Sequence, residues 1–263
     1  MTKINYLKEL TESKKPFIIY KSDKGFDLYK DFSKKIILTN KNIKNFINKI
    51  NTNKLTNKDT DLFLGFFGYE ILNNLIGVKL KNQKSLKFPK GIFYKPETKI
   101  KLSNKLNYTP SSSIKSNKFF KVNLSKASYE NIFDRFKKKI KSGETYQIKI
   151  CTKYKNKSKI DPLDFFCRLT KTNMAPEAFM IKDINYSIIS CSPENLITKK
   201  NDFISTKPIA GTLKKTKRLN KTKALAFFKK NIKETKEHNM IVDMERSDLS
   251  KISKPGSVKI IKK

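Results

Sequence analysis

Carboxylates, hydroxyls, lysines and backbone amides must carry any chemistry in this chain, because it holds one histidine, His238, and three cysteines without CxxC spacing. That pattern disfavours zinc sites and a disulfide framework, and it suits a reducing cytoplasm. Three stretches then stand out. In KETKEHNMIVDMERSDLS, Glu234 and Glu237 lie at i and i+3, on one helical face with Ile241 and Met244 nearby. Paired carboxylates shielded by apolar neighbours suit a hard cation such as Mg²⁺ shared with an anionic substrate. From spacing alone, a solvated face paired with lysines accounts for the same pattern better, and His238 reads as a structural partner. In KPIAGT, residues 207–212, Gly211 lets backbone approach a ligand and Thr212 offers a hydroxyl. Taken alone, that word is better explained by a tight turn after a strand. In CSPENL, Ser192 and Pro193 make a turn beyond which Glu194 projects, as a functional acid or an exposed one.

The elements that must position these residues follow from periodicity. PFIIY, KKIILT and LFLGFFGYEI read as apolar runs, with a helical stretch near 42–50. TPSSSIKSNK, 109–118, clusters Pro and Ser without periodicity and is the expected linker, dividing the chain into 1–118 and 119–263. Ser125 is an N-cap candidate for a helix carrying Tyr129, Ile132, Phe133, Phe136 and Ile140 at helical spacing, closed by Gly143. TYQIKICTKY reads as a strand. DPLDFFCRLTKT reads as a helix with Pro162 in its first turn. MAPEAFMIKD, YSIISCSPENLITKK and DFISTKPIAGT read as strands joined by turns. One long helix is expected over 221–244, and PGSVKIIKK as a turn and a last strand. This irregular alternation, with no repeat, predicts an α+β fold rather than a doubly wound one.

Composition limits the function classes. With 263 residues, 19 Phe and 10 Tyr, a sizeable core is available at a hydrophobic content of 37%. No apolar run approaches the ~20 residues of a membrane span, and the first residues carry no secretory signature. The formal charge of +36 suggests polyanions. Yet arginine occurs only at 135, 168, 218 and 246, and the lysines are spread among Asn and Ile. Nucleic-acid readers use clustered arginine, so a lysine coat without specific nucleic-acid recognition is expected.

The order of the words is more specific than any one of them. GETYQIKI, NMAPEAFM, SIISCSPENLI, TKPIAGTLKK, KETKEHNMIVDMERSDLSKI and PGSVKI together resemble the chorismate-utilising enzymes. That family comprises component I of anthranilate synthase and of aminodeoxychorismate (para-aminobenzoate) synthase. The likeness runs over 127–261, and LGFFGYEI at 64–71 resembles the weaker N-terminal part. It implies a mixed sheet fold with helices like that of anthranilate synthase component I. It also implies amination of chorismate at C2, with Mg²⁺ and with ammonia from a glutamine amidotransferase subunit. Carried over, Ala210, Gly211 and Thr212 lie along chorismate, Glu237 is the Mg²⁺ ligand with Glu234 beside it, and Glu194 does acid/base work. Asp243, Arg246 and Asp248 match a helix-end word as scaffold, with Ser247 in place of its usual Asn.

The resemblance also ranks products. Ala210 occupies the position at which some aminodeoxychorismate synthases carry a nucleophilic lysine, so direct attack by ammonia is implied. GETYQIK and NMAPEAF resemble the aminobenzoate branch more than the anthranilate branch, and no LLES-type segment is evident. Aminodeoxychorismate synthase component I is therefore the expected reading, with anthranilate synthase component I as the alternative. The family's later words, including a GSITGAPK-type loop and a second metal-binding glutamate, do not occur. The fold is accordingly expected to be incomplete at its C-terminus, with little activity of its own. An inactive fragment or a lysine-rich binding module is the reading from another class.

Overall fold

Strand pairing, rather than local periodicity, organises the computed structural model, which describes residues 3–52, 58–78, 88–103, 106, 108 and 119–261. In chain order the elements are α1 (Lys3–Glu12), β1 (Phe17–Ser22), β2 (Gly25–Ile37), α2 (Ile43–Thr52), β3 (Leu64–Phe67), α3 (Tyr69–Leu75), β4 (Gly91–Leu102), β5 (Lys121–Val122) and α4 (Lys126–Lys141). They continue with β6 (Tyr154–Lys155), α5 (Pro162–Thr172), β7 (Glu177–Lys182), β8 (Ser187–Ser192), β9 (Thr198–Lys200), β10 (Phe203–Ser205), α6 (Lys221–Lys230) and α7 (Ile232–Ser250). A six-stranded antiparallel sheet runs β3-β4-β2-β1-β7-β8, and the pairs β5/β6 and β9/β10 stand beside it. The fold is the α+β type expected. The sheet draws strands from both sides of the 109–118 stretch, which itself lies outside the described residues.

Alternation decides the two faces of the sheet. Phe17 and Ile19 of β1, Phe26 and Leu28 of β2, and Ala178 and Met180 of β7 point one way and bury against Leu163, Phe166 and Cys167 of α5. Ile18, Tyr29, Ile181, Ile92 and Tyr94 form the opposite face. Each fully buried Phe, Leu or Ile contributes about 1.5–3 kcal/mol, so this sheet and α5 hold the fold together. A third cluster joins α2 and α3 to the sheet through Ile43, Phe46, Ile71 and Phe93. The α5 start is built as its sequence predicts. Asp161 accepts from the amides of Leu163 and Asp164 at 2.8 and 3.0 Å, with Pro162 next.

Helix α4 also forms where its signals place it. Ser125 accepts from the Ser128 amide at 3.2 Å, and Gly143 closes the helix at φ 77°. There the Gly143 and Glu144 amides donate to the carbonyls of Ile140 and Lys139, the pattern that requires a left-handed residue. Its apolar stripe is nevertheless not covered, since Tyr129, Phe133 and Ile140 are 41%, 45% and 40% exposed. Helices α4, α6 and α7 have no buried residue.

Three expectations need correction. Within TYQIKICTKY only the last residue, Tyr154, pairs in a ladder, with Val122 of β5. The single helix expected over 221–244 is two, because Asn231, at φ −87° and ψ 94°, ends α6 and caps α7. The strand expected after Pro255 is absent, since 257–261 forms no ladder. A strand exists only with a partner edge, and none of the described residues presents one to this segment. No described helix is long and apolar enough to cross a membrane.

Candidate functional site

The hairpin of β9 and β10 brings together words that lie apart in the chain. β8 ends at Ser192, whose hydroxyl donates to the Glu194 carbonyl at 3.3 Å across the Pro193 turn. Asn201, at φ 53°, turns β9 into β10, and the Thr206 hydroxyl donates to the Leu196 carbonyl at 3.0 Å. The returning strand thereby lays KPIAGT beside CSPENL. Its Ile209 amide donates to Glu194 Oε1 at 2.9 Å. A carboxylate on a backbone amide is a charge-assisted bond, which fixes the loop entering Ala210.

The loop's other side rests on α7. Asn231 Oδ1 accepts from the Glu234 amide at 3.2 Å, and the Thr235 hydroxyl donates to the Phe228 carbonyl at 2.9 Å, locking α6 against α7. Gly211 sits against this corner. A Cβ there would lie 2.8 Å from Glu234 Cδ and 3.0 Å from Phe228 Cε1, so only glycine lets the loop backbone touch the carboxylate. Glu194, residues 209–212 and Glu234 are therefore neighbours. Glu237 lies one turn further along α7, half-buried like Glu234, and Thr212 is exposed.

Charge pairing at these acids differs from the expected lysine-paired face. The chain has 59 Lys and Arg against 23 Asp and Glu. Among the described residues, however, Glu194, Glu234 and Glu237 make no ion pair, whereas Asp243 and Asp248 pair with Arg246 and Lys251 at 3.3 and 2.9 Å. The acids assigned to chemistry are thus open, and those assigned to scaffold are paired. No group of three His, Cys, Asp or Glu able to hold a metal occurs among the described residues. Two open carboxylates still fit Mg²⁺, which keeps several waters and takes further oxygens from an anionic substrate. His238 is half-buried beside them, without a hydrogen-bond partner among the described residues.

Sequence reasoning missed Glu177, whose carboxylate accepts from Tyr20 OH at 2.5 Å and from Asn195 Nδ2 at 3.1 Å. Its only signal is a carboxylate at the start of a strand whose next four residues, Ala178 to Ile181, are apolar. A groove of about 470 Å³ at the far end of α7, lined by Arg246, Ser250, Lys254 and Gly256, was likewise not foreseen.

Comparison with known proteins places the chain in a family. Residues 6–263 match the family described as chorismate binding enzyme. The aminodeoxychorismate synthase component 1 of Bacillus subtilis is 31% identical over 142 residues, covering 54% of this chain and 30% of that protein. The anthranilate synthase component 1 of Arthrobacter globiformis is 37% identical over 138 residues, covering 50% of this chain and 26% of that protein. In fold, the chain resembles the crystal structure of anthranilate synthase component I from Streptococcus pneumoniae with a TM-score of 0.68 at 21% identity. That likeness covers 94% of this chain and 64% of that one. With the family matched over nearly the whole sequence, the chain belongs to the chorismate binding enzymes.

Proposed function

We propose that the chain is a component I that binds chorismate and directs ammonia to its ring, most specifically as aminodeoxychorismate synthase component I. The observation supporting this reading is the meeting of Glu194, residues 209–212 and the open carboxylate of Glu234 at one corner. Ala210, Gly211 and Thr212 bind and orient the ring, and the unobstructed backbone at Gly211 allows close approach. Glu194 supplies or takes a proton at the leaving hydroxyl. Glu234 and Glu237 would hold Mg²⁺, which would neutralise a substrate carboxylate when bound. Ala210 has no amine, so the nucleophile comes from outside the chain, from a glutamine amidotransferase partner. Anthranilate synthase component I is the second reading, favoured by the Arthrobacter relative.

Because the matched segments cover only 30% and 26% of those relatives, binding is the first test rather than turnover. Calorimetric titration with chorismate should show binding that needs Mg²⁺ and is lost in Glu237→Gln. No binding at millimolar chorismate with Mg²⁺ overturns the proposal. Chromatography after incubation with ammonia then separates the readings by product, aminodeoxychorismate or anthranilate.

A further inference from the structure

We infer that Glu177 is a positioning residue of the chorismate site, acting through the turn that carries Glu194. The inference rests on the functional reading above. Glu177 opens β7 opposite Ser192, the last residue of β8, and its two carboxylate oxygens reach in different directions. Oε2 accepts from Tyr20 of β1 at 2.5 Å, and Oε1 accepts from Asn195 at 3.1 Å. Asn195 is held in turn by the Thr198 hydroxyl, which donates to its Oδ1 at 2.9 Å at the start of β9. The preceding residue, Glu194, accepts the Ile209 amide that leads into Ala210. A line of side-chain hydrogen bonds therefore runs from the central sheet, through Glu177 and Asn195, to the loop proposed to hold chorismate.

Packing cannot do this work in its place. Pro193, Glu194, Leu196 and Ile197 are exposed, and the backbone between Ser192 and Thr198 belongs to no strand. Without apolar burial, the turn's orientation depends on its polar ties, and Glu177 is the one that reaches the buried sheet. Its partners fit a fixed tie. In a chain so rich in lysine, Glu177 makes no ion pair among the described residues and takes two neutral donors instead. Burial, reinforced by the bond to Glu177, pushes the Tyr20 hydroxyl well above its ordinary range, so it remains a donor wherever the protein is folded.

The test compares Glu177→Ala, Glu177→Gln and Asn195→Ala in the full chain. Gln keeps an acceptor for Asn195 and places its amide toward Tyr20 OH, which can accept. The Ile209 amide, followed by ¹⁵N–¹H spectroscopy of isoleucine-labelled protein, should be protected from hydrogen exchange in the wild type by its bond to Glu194. In Glu177→Ala and Asn195→Ala that protection should fade and chorismate binding with Mg²⁺ should weaken about tenfold, while Glu177→Gln restores both. A merely structural Glu177 would lower the urea midpoint and leave the Ile209 protection of the folded protein unchanged. That result overturns the inference, as does failure of Gln to rescue. Should Glu177→Ala not fold, Asn195→Ala decides, since it cuts the same line outside the sheet. If the wild type binds no chorismate, the functional reading fails, and the Ile209 protection alone still decides whether Glu177 positions the loop.

Discussion

Replacing Gly211 by alanine should damage the site while sparing the fold. The added Cβ would stand 2.8 Å from Glu234 Cδ and 3.0 Å from Phe228 Cε1. Carbon atoms settle at about 3.5–4.0 Å, so the carboxylate must retreat by about 1 Å or more. The Glu234 side chain ends freely and makes no ion pair among the described residues, so its retreat costs little. Gly211 is also not among the glycines at positive φ, and alanine meets no backbone strain. The stability change should therefore stay within about 1 kcal/mol. Metal binding tolerates much less, because ligand distances around Mg²⁺ hold to about 0.2 Å. Losing one of the two carboxylates proposed to hold Mg²⁺ should weaken Mg²⁺-dependent chorismate binding by about 10–100-fold, similar to Glu234→Gln. The assays are a urea unfolding curve and a calorimetric Mg²⁺ titration at fixed chorismate. An unchanged Mg²⁺ dependence in a normally folded Gly211→Ala protein would refute the reasoning, because it would mean that the Glu234 position does not matter to the ion.

Other outcomes follow from the remaining ionic and apolar features. Asp183 is buried and accepts from Tyr94 OH, from Lys35 at 2.7 Å and from the Ile184 amide at 2.6 Å; Asp183→Ala leaves the buried Tyr94 hydroxyl only the Tyr186 hydroxyl at 3.4 Å and should cost about 2–3 kcal/mol in urea unfolding, reduced because Lys35 is partly solvated. Burial opposes ionisation of Asp183, but those three donors outweigh it and hold the carboxyl below its usual 3.8, so the wild type should lose stability as pH falls through and below that value while Asp183→Asn lacks this limb. Burial pushes the Cys167 thiol up to about 12, so iodoacetamide at pH 8 should label exposed Cys151 first and Cys167 only on unfolding. Since α4 leaves Tyr129 and Phe133 open, Phe133→Lys should reduce binding of an apolar dye and any self-association without lowering the urea midpoint. DNA binding should be weak and collapse between 50 and about 200 mM salt; useful affinity at physiological salt would instead favour a lysine-rich binding module.

What could be read without coordinates was local. The Ser125 cap and Gly143 closure of α4, the Asp161-Pro162 start of α5 and the alternating β1 and β7 all follow from neighbours within a few residues. The break between α6 and α7 belongs to the same class, because Asn231 and Glu234 have capping-box spacing. The family likeness, too, lay in the order of short words. The tertiary structure alone decided how those words meet. Tyr20 and Glu177 bond across 157 positions, Glu194 reaches Ile209 only because β9 and β10 fold back, and Gly211 abuts Glu234 because α6 intervenes and turns. It also decided which strand-like segments became strands, denying that state to 257–261 and to most of TYQIKICTKY. A helix satisfies its backbone from its own residues, so its signals are legible in place. A strand, and an acid left open among lysines, are defined by what the rest of the chain brings beside them.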